Sequence, residues 1–287
     1  MTIVCGTDFS ENAARAADAA AAIAKRLGLP LHLAHATIPG GESPKARIEA
    51  EAERLREKYA ATVEAAVETG VADERLVALA GRLGARLLVV GSLGERKQHR
   101  WLLGSVAERV AQSSPVPVLV VREGPPIEAW ACGKGKLRVV VGVELTLAAR
   151  TALQWAQELR AIGPCDFVAA QIVWPAEDRY RPAAPAPIPL DRLRPEIEQE
   201  ILKDLRQWAG SPPMNGDTSF IVRPGWGRVD SHLTQLAAEL NADLLVVGTH
   251  QRAGIARFWQ GSVSRGVLHG AAMSVACVPP GKAGSAE

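Results

Sequence analysis

Cysteine is scarce and scattered: Cys5, Cys132, Cys165 and Cys277 form no CxxC pair and have no histidine at ligand spacing. That argues against a disulfide framework and against a thiolate zinc site. Cys5, Cys165 and Cys277 lie in or beside apolar strand-like runs, as small buried hydrophobes do in a reducing compartment. Net charge is also small, +2 from 33 basic and 31 acidic residues, which gives no electrostatic case for nucleic acid or an anionic membrane. No apolar run approaches the ~18–20 residues of a membrane span. Residues 1–8, MTIVCGTD, lack the basic and apolar regions of a secretory signal. The expectation is therefore a cytoplasmic chain with neither membrane nor nucleic acid as partner. Two phosphate-binding signatures are missing as well. No GK[ST] follows a glycine-rich loop, and no GxGxxG follows the first strand, which disfavours a Walker loop and a dinucleotide Rossmann site.

What is present is a repeat. The chain has 287 residues, 47% of them hydrophobic, enough for about two domains. TIVCGTDFS (2–10) aligns with RVVVGVELT (138–146) at an offset of 136, and LHLAHATIP (31–39) aligns with FVAAQIVWP (167–175) at the same offset. Further on, LAGRLGARLLVVGS (79–92) aligns with LAAELNADLLVVGT (236–249), and PVLVV (117–121) with 274–278, at an offset of 157. The second copy thus carries an insertion, and the proline-rich RYRPAAPAPIPLDR (179–192), within about 176–195, is expected to be an exposed excursion. The predicted organisation is one domain over 1–123, a linker over 124–136 and a second domain over 137–281.

Each copy alternates strand and helix signals. In the first, TIVCGT is a β-branched run, Ser10 is an N-cap, a helix runs from Glu11 to about Leu27, and Gly28 stops it. A second strand at 29–37, a charged amphipathic helix at 44–61, a third strand at TVEAAVE and a helix ending at Gly84 follow. ARLLVVG is a fully apolar fourth strand, SVAERVAQSS a helix and VPVLVVR a fifth strand. Continuously apolar strands alternating with helices predict an α/β fold, a doubly wound parallel five-stranded sheet repeated twice. Ligands of such sheets bind beyond the carboxyl ends of the strands, where the strand order reverses.

Gly91 ends the fourth strand, and the segment continues Gly-x2-Gly-x9-Gly-Ser through Gly94, Gly104 and Ser105. Glycines there permit positive φ and close backbone approach, Ser105 can cap the next helix, and the first N–H groups of that helix form an anion site. The spacing alone fits either a phosphate cradle or the ordinary turn between a strand and a capped helix. Arg96, Lys97 and Arg100 lie in the nine-residue spacer, where they either screen phosphate or face solvent. His35 reads as a strand-end residue and His99 as a surface residue, since nothing in the sequence pairs them with a carboxylate.

VCGTDFS at the first strand, ARLLVVGSLG at the fourth, the glycine spacing and VAERVAQSSPVPVLVV together resemble the universal stress proteins in their tandem two-domain form. The resemblance covers nearly the whole chain. It implies a Rossmann-like fold of the adenine nucleotide alpha hydrolase type and, for the nucleotide-binding branch, an ATP site, with AMP or ADP as variants and Mg2+ as an accompanying ion. By match, Asp8 contacts ribose or adenine with Gly6 and Thr7 beside it, and Ala36 lies against adenine. Val90 and Gly91 flank the ribose, while Gly94, Gly104, Ser105 and Val106 take the phosphates. The resemblance also implies that the fifth strands of the two copies pair within the chain, and it allows a homodimer.

The second copy departs from the pattern. Glu144 stands for Asp8 and Gln251 for Gly94, whereas Gly248, Gly261 and Ser262 remain and Gly254 comes three residues later. A glutamine at a close-approach glycine costs binding through clash or backbone strain. Trp226 and Trp259, with Arg223, Arg228 and Arg252, either line an altered pocket or serve core and interface. The leading expectation is a cytoplasmic stress-response protein that binds an adenine nucleotide in its first copy and signals with slow or no hydrolysis, because no base, water-positioning residue and metal set is visible. The competing readings are a true ATPase or nucleotidyl-transfer enzyme, with Asp8 or a motif-loop residue on Mg2+, and a ligand-free assembly module.

Overall fold

A computed structural model describes residues 1–38, 44–93, 103–122, 124–174, 193–210, 218–225, 227–249 and 262–280. The proline-rich insertion, the centre of the glycine motif (Gly94 to Arg100) and its counterpart (Gln251, Gly254, Trp259, Gly261) lie outside the described residues, as does Trp226.

In the first copy the chain runs β1 (Ile3–Gly6), α1 (Glu11–Leu27), β2 (Leu31–Thr37), α2 (Lys45–Tyr59), β3 (Val63–Thr69), α3 (Ala72–Arg82), β4 (Leu87–Gly91), α4 (Ser105–Ser113) and β5 (Val118–Val121). Local chemistry accounts for the boundaries of α1. Ser10 accepts the Ala13 N–H, and Gly28 closes the C-terminus in the left-handed region at φ 64°. After α3 the same left-handed position is taken by Gly84 (φ 56°) in the first copy and by Asn241 (φ 50°) in the second, asparagine being among the few other residues that visit it readily.

The second copy repeats the order: β6 (Leu137–Gly142), α6 (Leu147–Glu158), β7 (Cys165–Val173), α7 (Pro195–Ala209), β8 (Thr218–Pro224), α8 (Val229–Glu239), β9 (Leu244–Gly248), α9 (Ser262–Gly270) and β10 (Ser274–Val278). Between the copies, the first part of the expected linker is itself a helix, α5 (Gly124–Ala131). Ile127 and Trp130, three apart on one helix face, are 1% and 2% exposed and join the core that α1 builds. The connection is therefore packed structure rather than a free tether.

All ten strands form one sheet in the order β3-β2-β1-β4-β5-β10-β9-β6-β7-β8. Pairing is parallel within each copy and antiparallel between β5 and β10, so the fifth strands join the copies as expected and cover each other's edges. At that seam Leu119 faces Ala276, which is its own counterpart in the repeat, while Val118 faces Cys277 and Val120 faces Val275. A pseudo-two-fold axis thus passes through the Leu119–Ala276 pair. Strand residues alternate between two cores. Ile3, Cys5, Leu87 and Val89 face α1, α2 and α5, whereas Val4, Leu88 and Val90 face α3 and α4. Burial on both faces is why these strands read as unbroken apolar runs. Among the described residues no helix is long and apolar enough to cross a membrane.

Candidate functional site

The strand order reverses between β1 and β4, which pair in parallel, so their carboxyl ends open a crevice at the edge where α1 and α4 begin. The expected site residues that are described gather along this edge, with different duties. Gly6 and Gly91 are glycines because helices lie against them. A Cβ on Gly6 would stand 2.6 Å from Leu76 Cδ1 of α3, and one on Gly91 would stand 2.9 Å from the Asn12 carbonyl oxygen of α1. The second copy repeats both contacts, Gly142 against Leu233 at 2.5 Å and Gly248 against the Ala148 oxygen at 2.6 Å. Val90 is 3% exposed and belongs to the core, so the edge is offered its backbone rather than its side chain.

Thr7 turns inward. Its N–H bonds the Ala34 carbonyl, its hydroxyl donates to Glu51 Oε2 of α2 at 3.3 Å, and the same oxygen accepts the Phe9 N–H at 3.0 Å. Asp8 points the other way along the chain and is exposed, with Oδ1 accepting the Ser10 N–H at 3.1 Å. Phe9 follows in the left-handed region at φ 64°, a strained conformation for an aromatic residue. Its ring stacks on His35 at 4.6 Å, and the Arg47 guanidinium lies over it at 4.4 Å. His35 is more than a strand-end residue. Its Nδ1 lies 2.8 Å from the Thr7 carbonyl, and because a carbonyl only accepts, that nitrogen carries the proton. The turn that presents Asp8 is therefore strapped from β2 and α2. Ala36 sits half-buried at the end of β2 beside it.

At the other wall, the capping differs from expectation. Gly104, extended at φ −71° and ψ 143°, is the N-cap of α4, and Ser105 is the first helical residue and exposed. The Gly104 N–H is held by the Ser92 carbonyl at 2.7 Å, which makes residue 104 the last extended residue and leaves Ser105 inside the helix. The consequence is chemical. Among the described residues the first turn of α4 has no side-chain cap, whereas α1 and α6 are capped by Ser10 and Thr146. Positive φ, expected of the motif glycines, is not what Gly104 supplies. Val106 packs partly against the core behind it. Gly94 lies outside the described residues.

Glu51 and Arg47 escaped the reading of the sequence, although Glu51 shares a face with Ile48, Ala52 and Leu55 at helical spacing, which places it on the buried side of α2. Burial, its largest influence, holds the Glu51 carboxyl above the usual value of 4.5, against the Thr7 hydrogen bond and the charge of Arg54, and its Oε1 is buried without a partner. A carboxyl whose folded pKa is raised stabilises the fold at acid pH, and that contribution is lost as pH rises through the folded value. Glu51→Gln is accordingly expected to raise the melting temperature at pH 8 and to leave it unchanged near pH 4. Melting curves at both pH values check this, and a loss of stability at pH 8 would contradict it.

In the second copy Glu144 is exposed at the corresponding edge. Arg223 is drawn to Glu239 at 2.6 Å and Arg228 pairs with the buried Asp230, so these arginines do not converge. A cleft of about 680 Å³ opens instead between α8 and α9, lined in part by Arg228, Asp230, Gly266 and His269. The first copy bridges the same helices with Arg109 on Asp73 at 3.0 Å, and Gly266 occupies the place of Arg109. Among the described residues no three His, Cys, Asp or Glu side chains are placed to hold a metal ion.

Two five-stranded α/β units joined through their fifth strands define a tandem protein of the Rossmann-like class. The chain belongs to the universal stress protein family, whose sequence model matches residues 1–122 and again 137–279. A universal stress protein from Archaeoglobus fulgidus has the same architecture, with a TM-score of 0.69 at 16% identity over 98% of both chains. A universal stress protein of Methanocaldococcus jannaschii is 36% identical over 70 residues, 24% of this chain and 41% of that protein. One from Mycobacterium tuberculosis is 26% identical over 191 residues, 67% of this chain and 61% of that protein. The chain thus spans about half the length of these curated relatives.

Proposed function

We propose that the first copy binds an adenine nucleotide, ATP in the first instance, and that the protein acts as a cytoplasmic stress-response regulator rather than as a fast hydrolase. The observation that supports this most is the glycine-capped start of α4, whose first N–H groups have no side-chain cap among the described residues and which begins at the same strand edge as exposed Asp8. A phosphate chain supplies the acceptors that such a helix start lacks, and the helix dipole favours its charge. Asp8, fixed by the turn that His35, Glu51 and Phe9 brace, is suited to hydroxyls of a ribose or the amine of a purine, with Ala36 as an apolar contact for the base. Gly94 and the cations Arg96, Lys97 and Arg100 of the motif complete the proposal from sequence. The second copy, with Glu144 and Gln251, is read as a weaker or structural partner.

The test is direct. Mass spectrometry of the denatured, purified protein is expected to release an adenine nucleotide, and calorimetric titration with ATP, ADP and AMP ranks the ligands. Asp8→Ala is expected to weaken binding by about tenfold, the worth of one good polar contact. Absence of co-purified nucleotide together with no heat and no thermal shift on adding ATP would end this reading. Sustained turnover near the ~10 s⁻¹ of ordinary enzymes would replace the regulator with an ATPase.

A further inference from the structure

The seam between the copies lies on a pseudo-two-fold axis, so Leu119 faces its own counterpart, Val118 faces the counterpart of Val120, and Val120 faces that of Val118. In a symmetric pair such positions meet like with like. Here they do not. Glu108 of α4 and Arg265 of α9 occupy the same place in the repeat, 157 residues apart, and they bond to each other, Arg265 Nε to Glu108 Oε1 at 3.1 Å. His269, whose counterpart is Gln112, also reaches Glu108 Oε1, at 3.3 Å. The Arg122 N–H donates to Ser274 Oγ at 3.1 Å and its guanidinium donates to the Leu268 carbonyl. The counterpart of Ser274 is Pro117 and that of Arg122 is Pro279, so neither bond has a mirror image. On the opposite flank Arg86 pairs with Glu158 at 3.0 Å, whereas the mirrored positions are Asp243 and Ala22. Arg26 Nε donates to the carbonyl of Ile162, its own counterpart, at 2.8 Å.

We infer that the β5–β10 seam is a recognition surface coded for unlike copies: the first copy accepts the second and rejects another first copy. A pair of first copies would set Glu108 against Glu108 and lose every Arg122 contact to Ser274. A pair of second copies would set Arg265 against Arg265. The apolar strands supply adhesion without discrimination, and the polar rim supplies the choice. Any association between whole chains then has to use another face, since both fifth strands are spent within the chain. The inference is independent of the nucleotide reading.

Full-length Glu108→Arg, Arg265→Glu and the double reversal test the code. Each single reversal is expected to lower the melting temperature by about 2–6 °C at low ionic strength and by less in high salt. The double reversal is expected to return to within about 1 °C of the parent, because the pair is restored with opposite polarity. Additive losses in the double variant, or silent single variants, would overturn the assignment. A second arm reads recognition itself, in a Cys132→Ser background. Leu119→Cys places a thiol on the axis, where two first copies would bring twin thiols together. Oxidation with diamide is expected to leave that chain monomeric on a non-reducing gel, while Leu119→Cys with Ala276→Cys closes an intrachain disulfide and shows that the position can be oxidised. A covalent dimer of the Leu119→Cys chain would refute the code, and so would failure of the double-cysteine chain to close.

Discussion

Gly248→Val is expected to lower the melting temperature by about 6–12 °C, the equivalent of about 3 kcal/mol in a protein of this size. The cause is a contact between backbones. A Cβ at residue 248 would lie 2.6 Å from the Ala148 carbonyl oxygen and 2.7 Å from its carbon, and neither can rotate away as a side-chain tip would. To admit valine, α6 has to leave β9, and the apolar contacts of Ala148, Ala149, Ala152 and Val246 loosen with it. Differential scanning calorimetry reads the shift. Gly270→Ala serves as the control, because its nearest neighbours are 3.8 Å away, an ordinary contact, and it is expected to stay within about 1 kcal/mol of the parent. A Gly248→Val chain that melts with the parent would mean that the approach of helix to strand is looser than described.

Gly94→Gln is expected to do the reverse: to leave the melting temperature in place and to weaken adenine nucleotide binding by about 100-fold or more, ~2.7 kcal/mol. The repeat itself motivates the choice. The second copy carries Gln251 where the first carries Gly94, and it forms β9 and α9 where the first forms β4 and α4. Gly91 cannot serve for this test, since it is fixed by the α1 backbone and its variants would lose fold and ligand together. Calorimetric titration with ATP on the parent and the variant decides it. Normal affinity in a folded Gly94→Gln chain would remove the motif from the nucleotide site.

Much of the fold was legible because its signals are local. Ser10, Gly28 and the run of alanines between them define α1 from Glu11 to Leu27 without reference to any other segment. The two offsets exposed the repeat, and the resemblance to the family implied the pairing of β5 with β10 that the sheet shows. Capping was less legible. Ser105 was expected as the cap of α4, but the Ser92–Gly104 bond across the loop moves the helix start, and a serine beside a glycine looks the same either way. The expected linker begins with a helix, α5, whose start holds Pro125 and Pro126, where proline is tolerated.

The sequence by itself determined the order of elements and the duplication, which follow from short-range periodicity, caps and spacing, and its motifs carried the resemblance to the family that the sequence model matches. Only the tertiary structure decided why particular residues stand where they do. Gly6 answers to Leu76, Gly91 to Asn12, Thr7 to Glu51 and Glu108 to Arg265, partners separated by dozens to more than a hundred positions. No local pattern encodes such contacts, because they arise when packed elements bring distant segments within a few ångströms. There the shape of a helix face and the sign of a charge, rather than propensity, set what each position tolerates.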